Sequence, residues 1–228
     1  MAISGGPDIV EDGLVCCLDA ADLNSYPRTG NTWYNLAGEN YNTTINNALF
    51  QTQNAGCFNL DANGDYMSVN NNYNHFAETV IVWAKSNTST WNEYGWISSS
   101  RQSNGHIIHP SPNTRNVNMY ILSSSATYTF LGNLTPSDIT IPRMYTLSTN
   151  GINKHKYYNN GSPYVTSTVS ITRNSTPQQK AWYLGVDDYQ SLTRYGNGKI
   201  FYCLKYNRQL EDLEVQQIYN ATKGRFGL

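Results

Sequence analysis

Apolar residues in this chain never run far. Short apolar or alternating stretches are cut by Asn, Gly, Ser and Pro about every ten residues, from one end of the 228-residue sequence to the other. That rhythm belongs to many short strands joined by tight turns, and it predicts an all-β fold. Strands are expected at residues 14–18, 56–60, 66–69, 79–84, 96–99, 117–122, 128–131, 145–149, 156–158, 166–171, 182–185 and 199–206. So many strands would curl or split as one flat sheet, so two packed antiparallel layers are expected. Asn159-Asn160-Gly161 reads as a hairpin turn, because Asn-Gly tolerates the positive φ of a type I′ turn. One helix is predicted, over residues 210–222. Val215, Ile218, Tyr219 and Thr222 share a helical face there, and Glu211, Asp212 and Glu214 suit the positive end of its dipole. Lys223 and Gly224 are expected to close it, and a lone helix on a sandwich is expected to cover a rim of the sheets. No repeat or linker divides the chain. Residues 1–228 are therefore expected to form a single domain, with 1–12 as an N-terminal extension.

Composition narrows the function. Fifteen basic residues against 16 acidic ones give a net charge of −1, while the chain carries 18 Tyr and 29 Asn. Its polar surface is thus mostly amide, hydroxyl and phenol. Without a basic field there is no counterion release to drive nucleic-acid binding, so no nucleic-acid partner is expected. The apolar runs are too short for a membrane-spanning helix, so no membrane insertion is expected. Met1-Ala2-Ile3-Ser4-Gly5-Gly6-Pro7 has neither a basic nor an apolar region of a signal peptide, which predicts synthesis in the cytoplasm. Cys16, Cys17, Cys57 and Cys203 form no CxxC pair and are read as small core residues. The six Asn-x-Ser/Thr sequons follow from the Asn- and Thr-rich composition.

Few constellations carry chemistry. Glycoside hydrolases use paired carboxylates, and no Glu-x-Asp-x-Glu spacing occurs here; Asp187-Asp188 would face opposite ways on a strand. No catalytic residues are assigned. His106-x-x-His109, bracketed by Gly105 and Pro110, reads as a pair of exposed loop histidines. Gly196-Asn197-Gly198 lacks the Lys-Ser/Thr and helix of a phosphate loop. Asp61-Ala62-Asn63-Gly64-Asp65 places oxygen ligands at alternate positions, which makes Asp61 and Asp65 the candidate ligands for a calcium ion. Asn72 holds the place of the closing Glu, however, and a plain turn explains the same residues. No other cofactor is expected. Trp91, Tyr94 and Trp96, set among Asn92 and Glu93, are the candidate ligand-binding residues, since aromatic rings beside amides suit sugars.

Several blocks, in order, resemble a known family. Gly13-Leu14-Val15-Cys16-Cys17-Leu18-Asp19-Ala20, with Ser25-Tyr26-Pro27 and Thr32-Trp33-Tyr34-Asn35-Leu36, resembles the opening of laminin-G-like, concanavalin A-like jelly-roll domains, especially those of tailed-bacteriophage virion proteins. Phe58-Asn59-Leu60-Asp61 through Gly64-Asp65-Tyr66 is similar to its F-x-x-D-G-x-x-D-Y segment, and Thr79 to Lys85 to its F-T-I-E-A-W-V-K strand. Tyr157 to Gly161 matches its Y-x-N-G hairpin, and Tyr206 to Leu210 with Ile218 to Leu228 its closing strand, helix and tail. Asn35 departs from the family's usual Asp. The resemblance implies a two-layer antiparallel jelly-roll sandwich with one short C-terminal helix, its first and last strands adjacent. It also implies a non-catalytic virion structural protein on the particle surface, a capsid or tail decoration or a fibre-like attachment protein. Its expected partners are other virion proteins and a host-surface glycan, in a homo-oligomer. A carbohydrate-binding module for host receptor recognition is the alternative, and a polysaccharide hydrolase or lyase on the same sandwich the second.

Overall fold

A computed structural model describes residues 8–189 and 191–228. Most of the N-terminal extension and the whole heptapeptide judged not to be a signal lie outside the described residues. The chain forms two eight-stranded antiparallel sheets packed face to face as a jelly-roll sandwich. The first sheet runs Ser162–Ser167, His155–Asn159, Arg143–Thr149, Glu78–Ser86, Asn197–Tyr206, Cys57–Asp61 and Leu49–Gln51. Leu14–Asp19 joins it on the long strand Asn197–Tyr206, with Leu18 opposite Cys203. The first and last strands are therefore neighbours, as expected. The second sheet runs Tyr128–Leu134, Val117–Leu122, His106–Pro110, Ser98–Ser100, Trp182–Leu184, Tyr66–Val69, Thr43–Asn46 and Thr32–Trp33.

Between the sheets lies the main core, built from inward-facing residues of both: Leu18, Phe58, Val80, Val82, Ile108, Met119, Ile121, Leu147 and Leu184 are all within it. Cys16 and Cys203 point into this core, whereas Cys17 and Cys57 point to the opposite face of the first sheet. All four are buried and unpaired. Strand alternation separates the adjacent pair, as a two-residue period requires.

A second core covers the outer face of the first sheet. The helix Asp212–Thr222 lays Val215 and Ile218 on Ile81, Trp83, Tyr158 and Phe201. The expectation of a rim position is corrected here: this face carries large apolar residues, and only a helix across its middle removes them from water. The central strands Glu78–Ser86 and Asn197–Tyr206 are consequently buried on both faces, which is why they read as unbroken apolar runs. A capping box between Glu211 and Glu214 starts the helix. Lys156 Nζ and the Tyr158 hydroxyl both reach Asp212, at 2.6 and 2.8 Å. Its end also differs from expectation. The chain passes through Gly224 into a 3-10 turn, Lys223–Phe226, and the left-handed stop falls at Gly227 (φ 71°). The Asn160-Gly161 turn has φ of 51° and 77°, as type I′ demands. Gly161 also leaves room for the helix, since a Cβ there would lie 2.6 Å from that of Tyr219.

The departure at Asn35 has a local reason. Its side-chain oxygen accepts from the Cys17 and Ala37 N–H groups (2.7 and 3.0 Å), while its nitrogen donates to the Val15 and Asn40 carbonyls (3.0 and 2.8 Å). An ionised Asp only accepts, so the amide satisfies a set that a carboxylate would leave half unpaired.

Candidate functional site on the outer face of the second sheet

The outer face of the second sheet has no helix over it. Residues directly opposite one another across a sheet share a face. The register links Phe130 to Tyr120, Tyr120 to Ile107, Ile107 to Ser99, Ser99 to Tyr183, and Tyr183 to Ser68. Their chain neighbours Ile121, Ile108 and Leu184 point into the main core, so this row points away from it. Phe130 and Tyr120 on one side and Tyr183 on the other flank Ile107 and Ser99, which are fully buried.

Loops complete the site. Asp187, fully buried, is its hub. The Arg101 guanidinium grips it with Nε on Oδ1 and with Nη2 on Oδ2 at 2.7 Å, Arg194 Nη1 donates to Oδ2 at 3.2 Å, and the Ser99 hydroxyl donates to Oδ1 at 3.1 Å. The two pinned guanidiniums in turn carry rings. Arg101 lies 5.3 Å from the Tyr128 centroid and 5.0 Å from Tyr189, and Arg194 lies 5.0 Å from Tyr94 and 4.5 Å from Tyr189. These are cation–π distances, and desolvated pairs of this kind are the stronger ones. From Tyr94 the aromatic series continues through His109 and Tyr120 to Phe130 in steps of 5.3, 5.4 and 5.4 Å. Tyr94, Tyr128, Phe130 and Tyr189 remain 38–53% exposed. Four rings thus face solvent, three of them seated on guanidiniums that a buried carboxylate anchors. Asp188 adds a partly exposed carboxylate; burial raises its pKa, and its Oδ1 accepts from Ser99 at 2.5 Å. With both oxygens of Asp187 occupied, that residue is an anchor for the two guanidiniums.

At Tyr183 and Ser68 the row borders a pocket of about 430 Å³ lined largely by amides, Asn70, Asn71, Asn72, Gln102 and Gln179, and by Lys180. Its donors and acceptors are almost all neutral, like the hydroxyls of a sugar.

Of the three residues singled out for binding, only Tyr94 reaches this face. Trp91 and Trp96 are 1% and 0% exposed and stack edge-on within the main core at 5.5 Å. The backbone of Trp91 is held in two directions by the 113–114 turn, and this directs both indoles inward. Gly196 and Gly198 make space for Trp96, since a Cβ on either would lie about 2.5 Å or less from its ring. That is the physical role of the Gly-Asn-Gly run. The histidines are also corrected. His106–Pro110 is a strand paired on both edges, so its residues alternate between faces instead of hanging in a loop. His106 turns into the core against Glu78, and His109 turns out beneath Tyr94 and Tyr120. Burial holds His109 down to about 4.

Asp61 and Asp65 close their own turn. Asp65 Oδ2 accepts from the Asp61 N–H and Asp61 Oδ1 from the Asn63 N–H, each at 2.9 Å. Among the described residues, no three His, Cys, Asp or Glu side chains converge as metal ligands. Arg101, Arg194, Asp187, Tyr128 and Tyr189 escape a sequence reading because loops bring them together; the high Tyr count was the available signal.

No protein-family model matches the sequence, and no curated protein matches it. Solved structures match its fold. The binding domain of botulinum neurotoxin serotype D aligns with a TM-score of 0.69 at 19% identity, covering 92% of this chain and 52% of that one. The serotype D ligand-binding domain in complex with N-acetylneuraminic acid gives 0.69 at 17% identity, covering 92% and 51%. Domain 4 of AbnA, a GH43 extracellular arabinanase from Geobacillus stearothermophilus, in complex with arabinotriose, gives 0.68 at 13% identity, covering 92% and 100%. The chain spans about half the length of the neurotoxin domains and the whole of the arabinanase domain. At such identities the likeness is one of fold: a β-sandwich shared with binding domains.

Proposed function

We propose that this chain is a single-domain, non-catalytic carbohydrate-binding module that holds a glycan on the outer face of its second sheet. The observation that carries the reading is the set of solvent-facing rings Tyr94, Tyr128 and Tyr189, fixed in place by guanidiniums anchored on buried Asp187, with exposed Phe130 beside them on Tyr120. Rings held before the ligand arrives lose little freedom on binding. Pyranose faces stack on them, while Asp188 and the adjoining amide pocket meet the hydroxyls. The neighbours in fold support it, since two of them hold N-acetylneuraminic acid and arabinotriose. Three stacked rings at about 1 kcal/mol each, with a few hydrogen bonds, give a dissociation constant of about a millimolar. Several copies on one particle would turn that into firm attachment.

The finer reading places the module on a tailed-phage particle as a decoration or attachment protein, with a host-surface glycan as ligand and other virion proteins and further copies of itself as partners. It rests on the ordered sequence blocks, whose prediction of adjacent first and last strands matches the fold.

The test is a glycan array probed with protein multimerised on beads, with and without chelator, beside Tyr94→Ala. Saturable, chelator-resistant binding that the variant weakens about fivefold is expected. Undiminished affinity in the variant would sink the site, and turnover of a polysaccharide would replace the module by an enzyme. Docking to a capsid or tail protein with no glycan bound would leave only the architectural half of the reading.

A further inference from the structure

Beneath the amide pocket, a lysine, two asparagines and a glutamate are sealed in the interior. Lys205 and Asn74 are 0% exposed, and Asn72 and Glu78 are 1% exposed. Lys205 comes from the last strand of the first sheet and Glu78 from the strand beside it. Asn72 and Asn74 come from the segment that leaves Tyr66–Val69 of the second sheet. Lys205 Nζ lies 2.9 Å from Asn72 Oδ1, 3.3 Å from Asn74 Oδ1 and 3.4 Å from Glu78 Oε2. The other carboxylate oxygen is held elsewhere: Glu78 Oε1 meets Arg173 Nη2 at 3.0 Å and His106 Nδ1 at 3.4 Å. Oε2 is therefore the oxygen turned to the amine. The Trp182 ring closes one side, 5.0 Å from Nζ.

We propose that Lys205 and Asn72 form an intramolecular isopeptide bond, with Glu78 carrying the protons. The lysine ammonium gives a proton to Glu78 Oε2, and the free amine attacks Asn72 Cγ, one bond beyond the oxygen it already touches. Glu78 then returns that proton to Nδ2 and takes one from the newly bonded Nζ. The Cγ–Nδ2 bond breaks and ammonia leaves through the pocket that Asn72 lines. One C–N bond forms and one breaks, and nothing is oxidised or reduced. Ammonia then takes the proton left on Glu78 and departs as ammonium.

Two physical terms favour the step. The groups are held together and out of water, which converts an encounter into a reaction within one molecule. The cluster also holds Lys205 and Arg173 against the single charge of Glu78, with burial keeping His106 neutral. One buried positive charge is thus uncompensated, an arrangement that a low-dielectric interior penalises. Amide formation removes it and leaves Arg173 and Glu78 as a matched pair. Burial already lowers the pKa of Lys205, toward the free amine.

The bond would tie the two sheets across a sequence separation of 133 residues. The test is mass spectrometry of the folded full chain and of its proteolytic fragments. The expected result is a branched fragment joining the peptides of Lys205 and Asn72, lighter by one ammonia, in most chains. Glu78→Gln and Lys205→Met should show both peptides separate and at full mass. A wild-type chain, folded by near-ultraviolet circular dichroism and aged for days, that yields only separate full-mass peptides overturns the proposal, whether or not either variant folds. A link to Asn74 would overturn the choice of acyl partner.

Discussion

The two sheets of this sandwich present opposite outer faces. On the first, the aromatic surface is closed: Trp83 lies under Tyr219 and Phe226, at 5.8 and 4.2 Å between centroids, and its Nε1 donates to Thr222 Oγ1 at 3.0 Å. On the second, Tyr94, Tyr128, Phe130 and Tyr189 are left to solvent, and charge rather than a helix holds the three tyrosines in position. The same residue types are thus used once for stability and once for presentation. What separates the two uses is the covering element. A face with a helix over it gains burial energy, whereas a face kept open must fix its rings from below, here with Asp187 and two arginines.

The contrast is broken most severely at Trp83. Trp83→Ala removes a fully buried indole and leaves a cavity, so a loss of about 4 kcal/mol is expected, read from the urea midpoint. Glycan binding by the fraction still folded should be unchanged. Reduced affinity in that fraction would mean the two faces are coupled. Asp187→Asn comes next. It leaves Arg194 without its counter-charge and Arg101 with only Asp188, 4.0 Å away, for an expected loss of about 3 kcal/mol. Here binding should fall as well, because the struts under Tyr94, Tyr128 and Tyr189 are released. A variant that loses stability but keeps full affinity would show that the charges do not position the rings.

The sealed face was far more legible in the sequence than the open one. Val215 and Ile218 announce their helix by spacing, and the alternation of Cys16 and Cys17 separates two cores. The site has no such period, since Arg101, Tyr128, Asp187 and Arg194 lie on separate strands and loops that only the fold brings together. Local context misled at two places. Trp91 and Trp96 flank polar residues, yet the turn at 113–114 draws their segment inward. Gly105 and Pro110 resemble loop punctuation, although Pro110 merely ends a strand. The strand expected over 166–171 forms earlier, as Ser162–Ser167, because the tight Asn160-Gly161 turn sets its register from the hairpin end. Glu78 and Lys205 carried a signal that went unused, namely a charge within an otherwise apolar, doubly covered strand.

Acid should sharpen the comparison at moderate cost. Burial holds His75 and His109 down to about 4 from 6.5, and it lowers His106 and His155 as well. A depressed folded-state value means that the unfolded chain binds protons first. Stability is therefore full above about 6.5 and declines as pH falls toward about 4. A loss on the order of 2 kcal/mol between these limits is expected once the partial exposure of these rings is discounted. Denaturation midpoints across that range provide the check. His109→Phe should remove part of the acid sensitivity, because His109 alone of the four lies beneath the open face. An unchanged pH profile would place the protons elsewhere.

The smallest effect on stability should come from the open face itself. Tyr94 is 40% exposed and stacks on Arg194 and His109, so Tyr94→Ala should shift stability by no more than about 0.5 kcal/mol. Its effect on glycan affinity should be larger, about 1 kcal/mol or roughly fivefold, since a ring offered to a ligand contributes only when the ligand is present. Tyr189→Ala should behave alike but also loosen Arg101 and Arg194, which share its ring. The double variant should then lose less affinity than the sum of the singles, because both act on one guanidinium. Strict additivity would mean that the two rings meet separate parts of the ligand, with Arg194 transmitting nothing between them.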